Sequence, residues 1–189
     1  MRKLLGRFAL ALAVAGLVIP PAGAAEIEGV RFADRVERSG EVLELSGVGL
    51  LRYRVLFKGY VAALYLASGA RPDAALGDVA RQLEIEYFWA IPADKFAWST
   101  REGIARNVDP ETFESLRERI EQFNAFYEDV EPGDRYTLTY VPGAGTELAR
   151  NGEPRGVVPG ADFAAAIFAI WLGDAPLDAS LKRQLLATP

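Results

Sequence analysis

Residues 50–66, LLRYRVLFKGYVAALYL, leave this chain few folds to choose from. The run is dense in Val, Leu, Tyr and Phe, side chains that suit a pleated, partly buried surface. Its alternation puts Arg52, Arg54, Lys58 and Tyr60 on one parity and Tyr53, Val55 and Phe57 on the other. One parity is basic and the other apolar, as expected of a strand with one buried face. Gly59 marks a bulge or a hairpin corner, and beyond a bulge the facing inverts. A chain organised around such a run must find it neighbouring strands, and the rest of the sequence supplies them. Residues 26–34 and 41–46 alternate weakly and read as short edge strands. From Arg81 to Ile91, Leu83, Ile85, Tyr87 and Trp89 alternate with Glu84, Glu86 and Phe88, and Pro92 ends the strand. Arg135–Val141 and Thr146–Arg150 read as further strands, followed by the two-residue hairpin signal Asn151-Gly152.

Helical periodicity fills the gaps. Ala93–Arg106 is expected to be helical, weakened by Gly103. Asp109 as N-cap and Pro110 at the first helical position open a second helix, whose stripe is Phe113, Leu116, Ile120, Phe123 and Tyr127. Asp162–Leu172 reads as a buried helix capped by Asp162 and ended by Gly173, and Pro176 and Asp178 open a short last helix. Strands, helices, a strand pair and helices again make an α+β fold with an antiparallel sheet, expected as one domain over residues 25–189.

The first 24 residues read as an address. Arg2, Lys3 and Arg7 precede an apolar run from Phe8 to Ile19; Pro20-Pro21 breaks it, and Ala22-Gly23-Ala24 fits a small-x-small cleavage site. The run is shorter than the roughly 20 apolar residues of a spanning helix. A cleaved signal peptide and a periplasmic location are expected. Cleavage after Ala24 moves the net charge from −5 to −8, because three basic residues and no acidic one are lost. A chain this acidic is not expected to coat nucleic acid.

There is no His and no Cys. That excludes a Ser-His-Asp triad, a Cys nucleophile, a His base, a disulfide and the usual zinc ligands. Glu84 and Glu86 lie two apart on one strand face and read as a solvated face, not as a facing carboxylate pair. Gly47-Val48-Gly49 and Gly143-Ala144-Gly145 match no phosphate loop, and nothing around Lys58 or Lys95 marks a Schiff-base lysine. The many Tyr and Trp residues read first as core and sheet residues, with a cavity lined by some of them as the alternative. Arg52 and Tyr60 are the sharper pair, an Arg fork and a phenol suited to an anionic oxygen. Eight residues apart on a straight strand they stand about 26 Å from one another, so they converge only if the chain folds back. On this ground alone they read as plain strand residues.

Four segments in order, GVGLLRYRVLFKGYVAALYL (47–66), YFWAIPADKFAWSTREGIARNV (87–108), PGDRYTLTYVPGAGTEL (132–148) and FAAAIFAIWLGDAPLDASLKRQLL (163–186), resemble the chalcone isomerase family, most closely its bacterial exported members. The resemblance implies an open-faced β-sandwich, a large antiparallel sheet carrying a layer of helices. It implies no cofactor and no metal. The family's enzymes hold a phenolate with an Arg and stabilise an enolate with hydroxyls; residue by residue, the Arg falls on Arg52, with Arg54 competing, and a Thr falls on Tyr60. The catalytic Tyr falls on Phe96, the Asn on Gly103 and the C-terminal Thr or Ser on Ile170, so most hydroxyl and amide positions are lost. Fatty-acid-binding members keep the Arg and add a Tyr, which Arg52 with Tyr60 resembles, and Phe96, Gly103 and Ile170 would then widen an apolar pocket. The leading expectation is a non-catalytic periplasmic protein binding a small apolar carboxylate such as a fatty acid through Arg52, Tyr60, Phe96, Gly103 and Ile170. The alternatives are a cofactor-independent isomerase or intramolecular lyase acting on an aromatic enone, and an envelope protein that binds a protein partner and has no ligand.

Overall fold

The structure is a computed structural model and describes residues 24–53 and 57–187. Arg54 and the expected signal peptide, up to Gly23, lie outside the described residues. Seven strands form one antiparallel sheet in sequence order: β3 (Arg35–Arg38), β4 (Glu41–Tyr53), β5 (Phe57–Ala67), β6 (Arg81–Tyr87), β7 (Arg135–Val141), β8 (Gly145–Arg150) and β9 (Glu153–Val158). A separate hairpin precedes them, β1 (Ala24–Ile27) and β2 (Val30–Ala33). Residues 26–34 are therefore not one strand: Glu28 and Gly29 both take positive φ and turn the chain. The helices α1 (Ala93–Ala105) and α2 (Pro110–Asn124) are inserted between β6 and β7, and α3 (Ala161–Leu172) and α4 (Ala179–Leu185) follow the sheet.

Each face of the sheet has its own core. Tyr60, Ala62, Leu64 and Leu66 of β5 point to the helical layer, where α2 and α3 contribute Leu116, Phe123, Phe163 and Ile167. Val61, Ala63 and Tyr65 point the other way and pack under Val30 and Phe32 of the β1–β2 hairpin. β5 is thus buried on both faces, which is why its sequence is a nearly unbroken apolar run. Through Phe32 the hairpin reaches Arg135, the partner of Glu84 and Glu86. These do not form a solvated face: both are largely buried and ion-paired to Arg135, whose guanidinium lies over the Phe32 ring.

Local chemistry sets the helix ends. The Asp109 carboxylate accepts from the backbone N–H groups of Glu111 and Thr112, and Asp178 accepts from that of Leu181. Asp162 is not the cap of α3; the capping position is Gly160, and the Asp162 side chain makes a two-pronged ion pair with Arg119 of α2 instead. Gly47 and Gly49 let α4 lie directly on β4, since a Cβ at Gly47 would stand 2.3 Å from the Gln184 carbonyl oxygen and one at Gly49 2.6 Å from Leu181 Cδ1.

Candidate ligand-binding site

A cavity of about 350 Å³ opens between the sheet and the helical layer. Its floor is the helix-facing side of β5 to β8, including Tyr60, Leu83, Ile85, Tyr136 and Leu138. Its roof is α1, the end of α2 and α3, through Phe96, Thr100, Tyr127, Ile170 and Trp171. Trp89, Lys95, Trp98 and Leu177 rim the mouth, where both indoles are more than half exposed. The wall is overwhelmingly apolar and aromatic, and among the described residues Lys95 is its only formally charged side chain.

Phe96 stands at the centre of an aromatic cage. It stacks on Tyr127 with ring centres 5.3 Å apart and meets Tyr87 and Tyr136 edge-to-face at 5.2 and 5.3 Å. The phenol groups around it differ in how their hydrogen bonds are used. Tyr136 Oη donates to the Glu128 carbonyl and accepts from the Glu128 N–H, both at 2.8 Å. Tyr127 Oη and Thr100 Oγ1 are hydrogen-bonded at 2.8 Å. Tyr60 Oη accepts from Trp171 Nε1 at 2.9 Å, which leaves its own proton to give. Tyr87, only 5% exposed, has no partner for its hydroxyl among the described residues. Burial raises the pKa of all four phenols, and at Tyr87 the neighbouring phenols of Tyr60, Tyr127 and Tyr136 add to the effect. The cavity therefore presents neutral O–H donors across the whole physiological range. Among the described residues no carboxylate lines it to act as a base.

Arg52 does not reach this cavity. The pairing of β4 with β5 puts Leu51 opposite Tyr60 and Arg52 opposite Lys58, leaving Gly59 as the bulged residue between them. The bulge moves Tyr60 to the other face from Lys58 and Arg52. Leu51 and Tyr60 line the cavity. Arg52, half exposed, lies 3.6 Å from Glu28 on the opposite face, where Lys58 also pairs with Glu28. Among the expected site residues, then, Tyr60, Phe96 and Ile170 come together on the cavity wall, and Arg52 and Gly103 do not. Gly103 does not widen the pocket: a Cβ there would lie 2.8 Å from Ile170 Cγ1, so the Ile170 side chain already occupies the space over it. Tyr87, Thr100, Tyr127 and Lys95 belong to the wall without having been singled out as ligand residues from the sequence. For Tyr87 the signal was the alternation of its strand and for Tyr127 the helical stripe that ends on it; Lys95 and Thr100 lie on α1, and nothing local to them says that this helix roofs a cavity.

The fold is a curled antiparallel meander carrying a helical layer, with an apolar cavity between sheet and helices. The chain belongs to the chalcone isomerase-like family, whose pattern matches residues 24–187. Among solved structures, a fatty-acid binding protein of Arabidopsis thaliana has the same fold, with a TM-score of 0.68 at 15% identity, covering 87% of this chain and 96% of that one. No protein of curated function matches the sequence.

Proposed function

We propose that the protein binds a small apolar acid of the fatty-acid class without transforming it, its chain inside the cavity and its carboxylate at the mouth beside Lys95. The observation that carries this reading is a cavity walled by apolar and aromatic side chains, with the one cation found among the described residues at its rim. Each methylene moved from water into such a wall contributes about 0.8 kcal/mol. A carboxylate taken to the cavity floor finds no cation there, and an unpaired buried charge costs several kcal/mol. The head-outward orientation avoids that cost. Lys95 is available for it: its side chain is 67% exposed and its nearest acidic partner is the adjoining Asp94 at 3.9 Å. The fatty-acid binding protein that shares the fold is consistent with the same ligand class.

All three Trp residues of the chain, Trp89, Trp98 and Trp171, line the cavity, so ligand entry is readable as a change in intrinsic fluorescence. Titration with a fatty acid is expected to saturate at one equivalent. Lys95→Ala should weaken the acid and leave its methyl ester unaffected; equal loss for both would refute the role of Lys95, and no binding of either by the wild type would refute the pocket reading. We further propose that the protein works in the periplasm, on the strength of the basic start, apolar run and Ala22-Gly23-Ala24. A periplasmic form whose N-terminal residue is Ala25 is the expected product, and retention of the full-length chain in the cytoplasm would refute it.

A further inference from the structure

Tyr60 and Tyr87 are adjacent on β5 and β6, paired in register with ring centres 5.6 Å apart, and both line the cavity. Each is more than nine-tenths buried. The oxygen of Tyr60 takes the Trp171 N–H, so its hydrogen remains to be given, and the Tyr87 hydroxyl is wholly unpaired among the described residues. The Tyr87 oxygen is not one of the sealed-off polar atoms of the interior; it is open to the cavity its residue lines, so its hydrogen-bond partner is whatever fills that cavity. Here the unmet need has a definite sign. Hydroxyl donors line the cavity, those of Tyr60 and Tyr87 side by side, and among the described residues no carboxylate lines it. A plain hydrocarbon chain would leave both donors unmet. A charged oxygen would be held among neutral phenols with no cation beside it. What fits is an uncharged acceptor oxygen.

We infer that the ligand is an oxygenated acid, with a keto or hydroxyl oxygen on its buried chain that accepts hydrogen bonds from Tyr87 and Tyr60. This rests on the proposed binding of an apolar acid in the same cavity and names the kind of acid. Tyr87 and Tyr60 are then specificity-determining residues: the apolar wall accepts any chain of suitable length, and the paired phenols prefer the chain that brings an oxygen.

The experiment is a fluorescence titration of the full protein with keto acids of one chain length, the keto group moved stepwise along the chain, against the unsubstituted acid. One or more positions should bind about three- to tenfold tighter than the plain acid, the worth of a buried neutral hydrogen bond. Tyr87→Phe and Tyr60→Phe keep the ring and remove only the hydroxyl. Each should reduce that preference and the double variant should abolish it, with a wild-type circular dichroism spectrum and urea midpoint verifying that all three fold. If no keto position is preferred while the plain acid binds, the inference fails and the pocket reading stands. A preference that survives in the double variant overturns it equally. If the wild type binds neither kind of acid, both readings fall.

Discussion

Gly103→Ala changes sign with its background, and the size of the change can be worked from the structure. Gly103 lies inside α1, where replacing Gly by Ala normally adds about 0.8–1 kcal/mol of helix stability. The added methyl would stand 2.8, 3.0 and 3.2 Å from Cγ1, Cγ2 and Cδ1 of Ile170 on α3. Overpacking of that kind costs roughly 1–3 kcal/mol. The clash exceeds the propensity gain in most of that range, so Gly103→Ala should destabilise the wild type by about 1 kcal/mol. Ile170→Ala removes all three clashing atoms. By itself it should cost about 2 kcal/mol, the low end for such truncations, because the side chain already borders a cavity. In that background Gly103→Ala should stabilise by about 1 kcal/mol, a coupling of about 2 kcal/mol between the two sites. Urea unfolding with an unchanged m-value measures all four members of the cycle. Additive effects, with Gly103→Ala equally favourable in both backgrounds, would refute the claim that glycine is there to admit α3. The same clash should press Ile170 toward the cavity, so Gly103→Ala should also weaken binding of the longest acids first.

Other expectations rest on the same geometry. Arg52→Ala should leave acid affinity unchanged and cost well under about 1 kcal/mol of stability, since its partner lies on the far face and the pair is exposed; a specific loss of acid binding, measured by the fluorescence titration, would place Arg52 at the ligand after all. Asp134 is held down to a pKa of about 2 by the Glu131 backbone N–H and by Arg150 and Asn151. Its contribution to stability is therefore complete above the ordinary Asp value of about 3.9 and is lost as the pH falls toward 2. Asp134→Asn should flatten the acid limb of a stability–pH curve between those values, and an unaltered limb would count against it. The buried phenols have the opposite consequence. With pKa values raised above the ordinary value of about 10, Tyr60, Tyr87 and Tyr127 favour the folded state fully below that pH and cease to do so as the pH climbs from there through their own raised values. An ultraviolet titration should show them ionising only with unfolding, and normal reversible ionisation would contradict their burial.

Much of this architecture is legible locally. The stripe from Phe113 to Phe123 marks the buried side of α2, Asp109-Pro110 marks its start, and Asn151-Gly152, both with positive φ, turns β8 into β9. These signals span a few residues and depend on backbone geometry that each segment carries with it. The Asp162 expectation failed because a local capping rule competed with a distant partner: Arg119, 43 residues earlier, claims the carboxylate. Glu84 and Glu86 are on one face, as alternation requires, but only the β1–β2 hairpin and Arg135 make that face a buried ion-pair cluster.

The candidate site divides in the same way. Residue order alone is enough to read a β-rich core with a helical layer, chemistry that must do without His and Cys, and tyrosines set in alternating strands. It also carries the family pattern that residues 24–187 match. Which polar groups meet is a matter of the folded chain. One bulged glycine at position 59 inverts the facing of the strand, so Tyr60 turns into the cavity while Arg52 remains with Glu28 outside. One missing Cβ at position 103 lets Ile170 fill what would otherwise be pocket. Strand periodicity fixes facing only up to the next irregularity, and packing between a helix and a sheet is settled by side chains that are far apart in the chain.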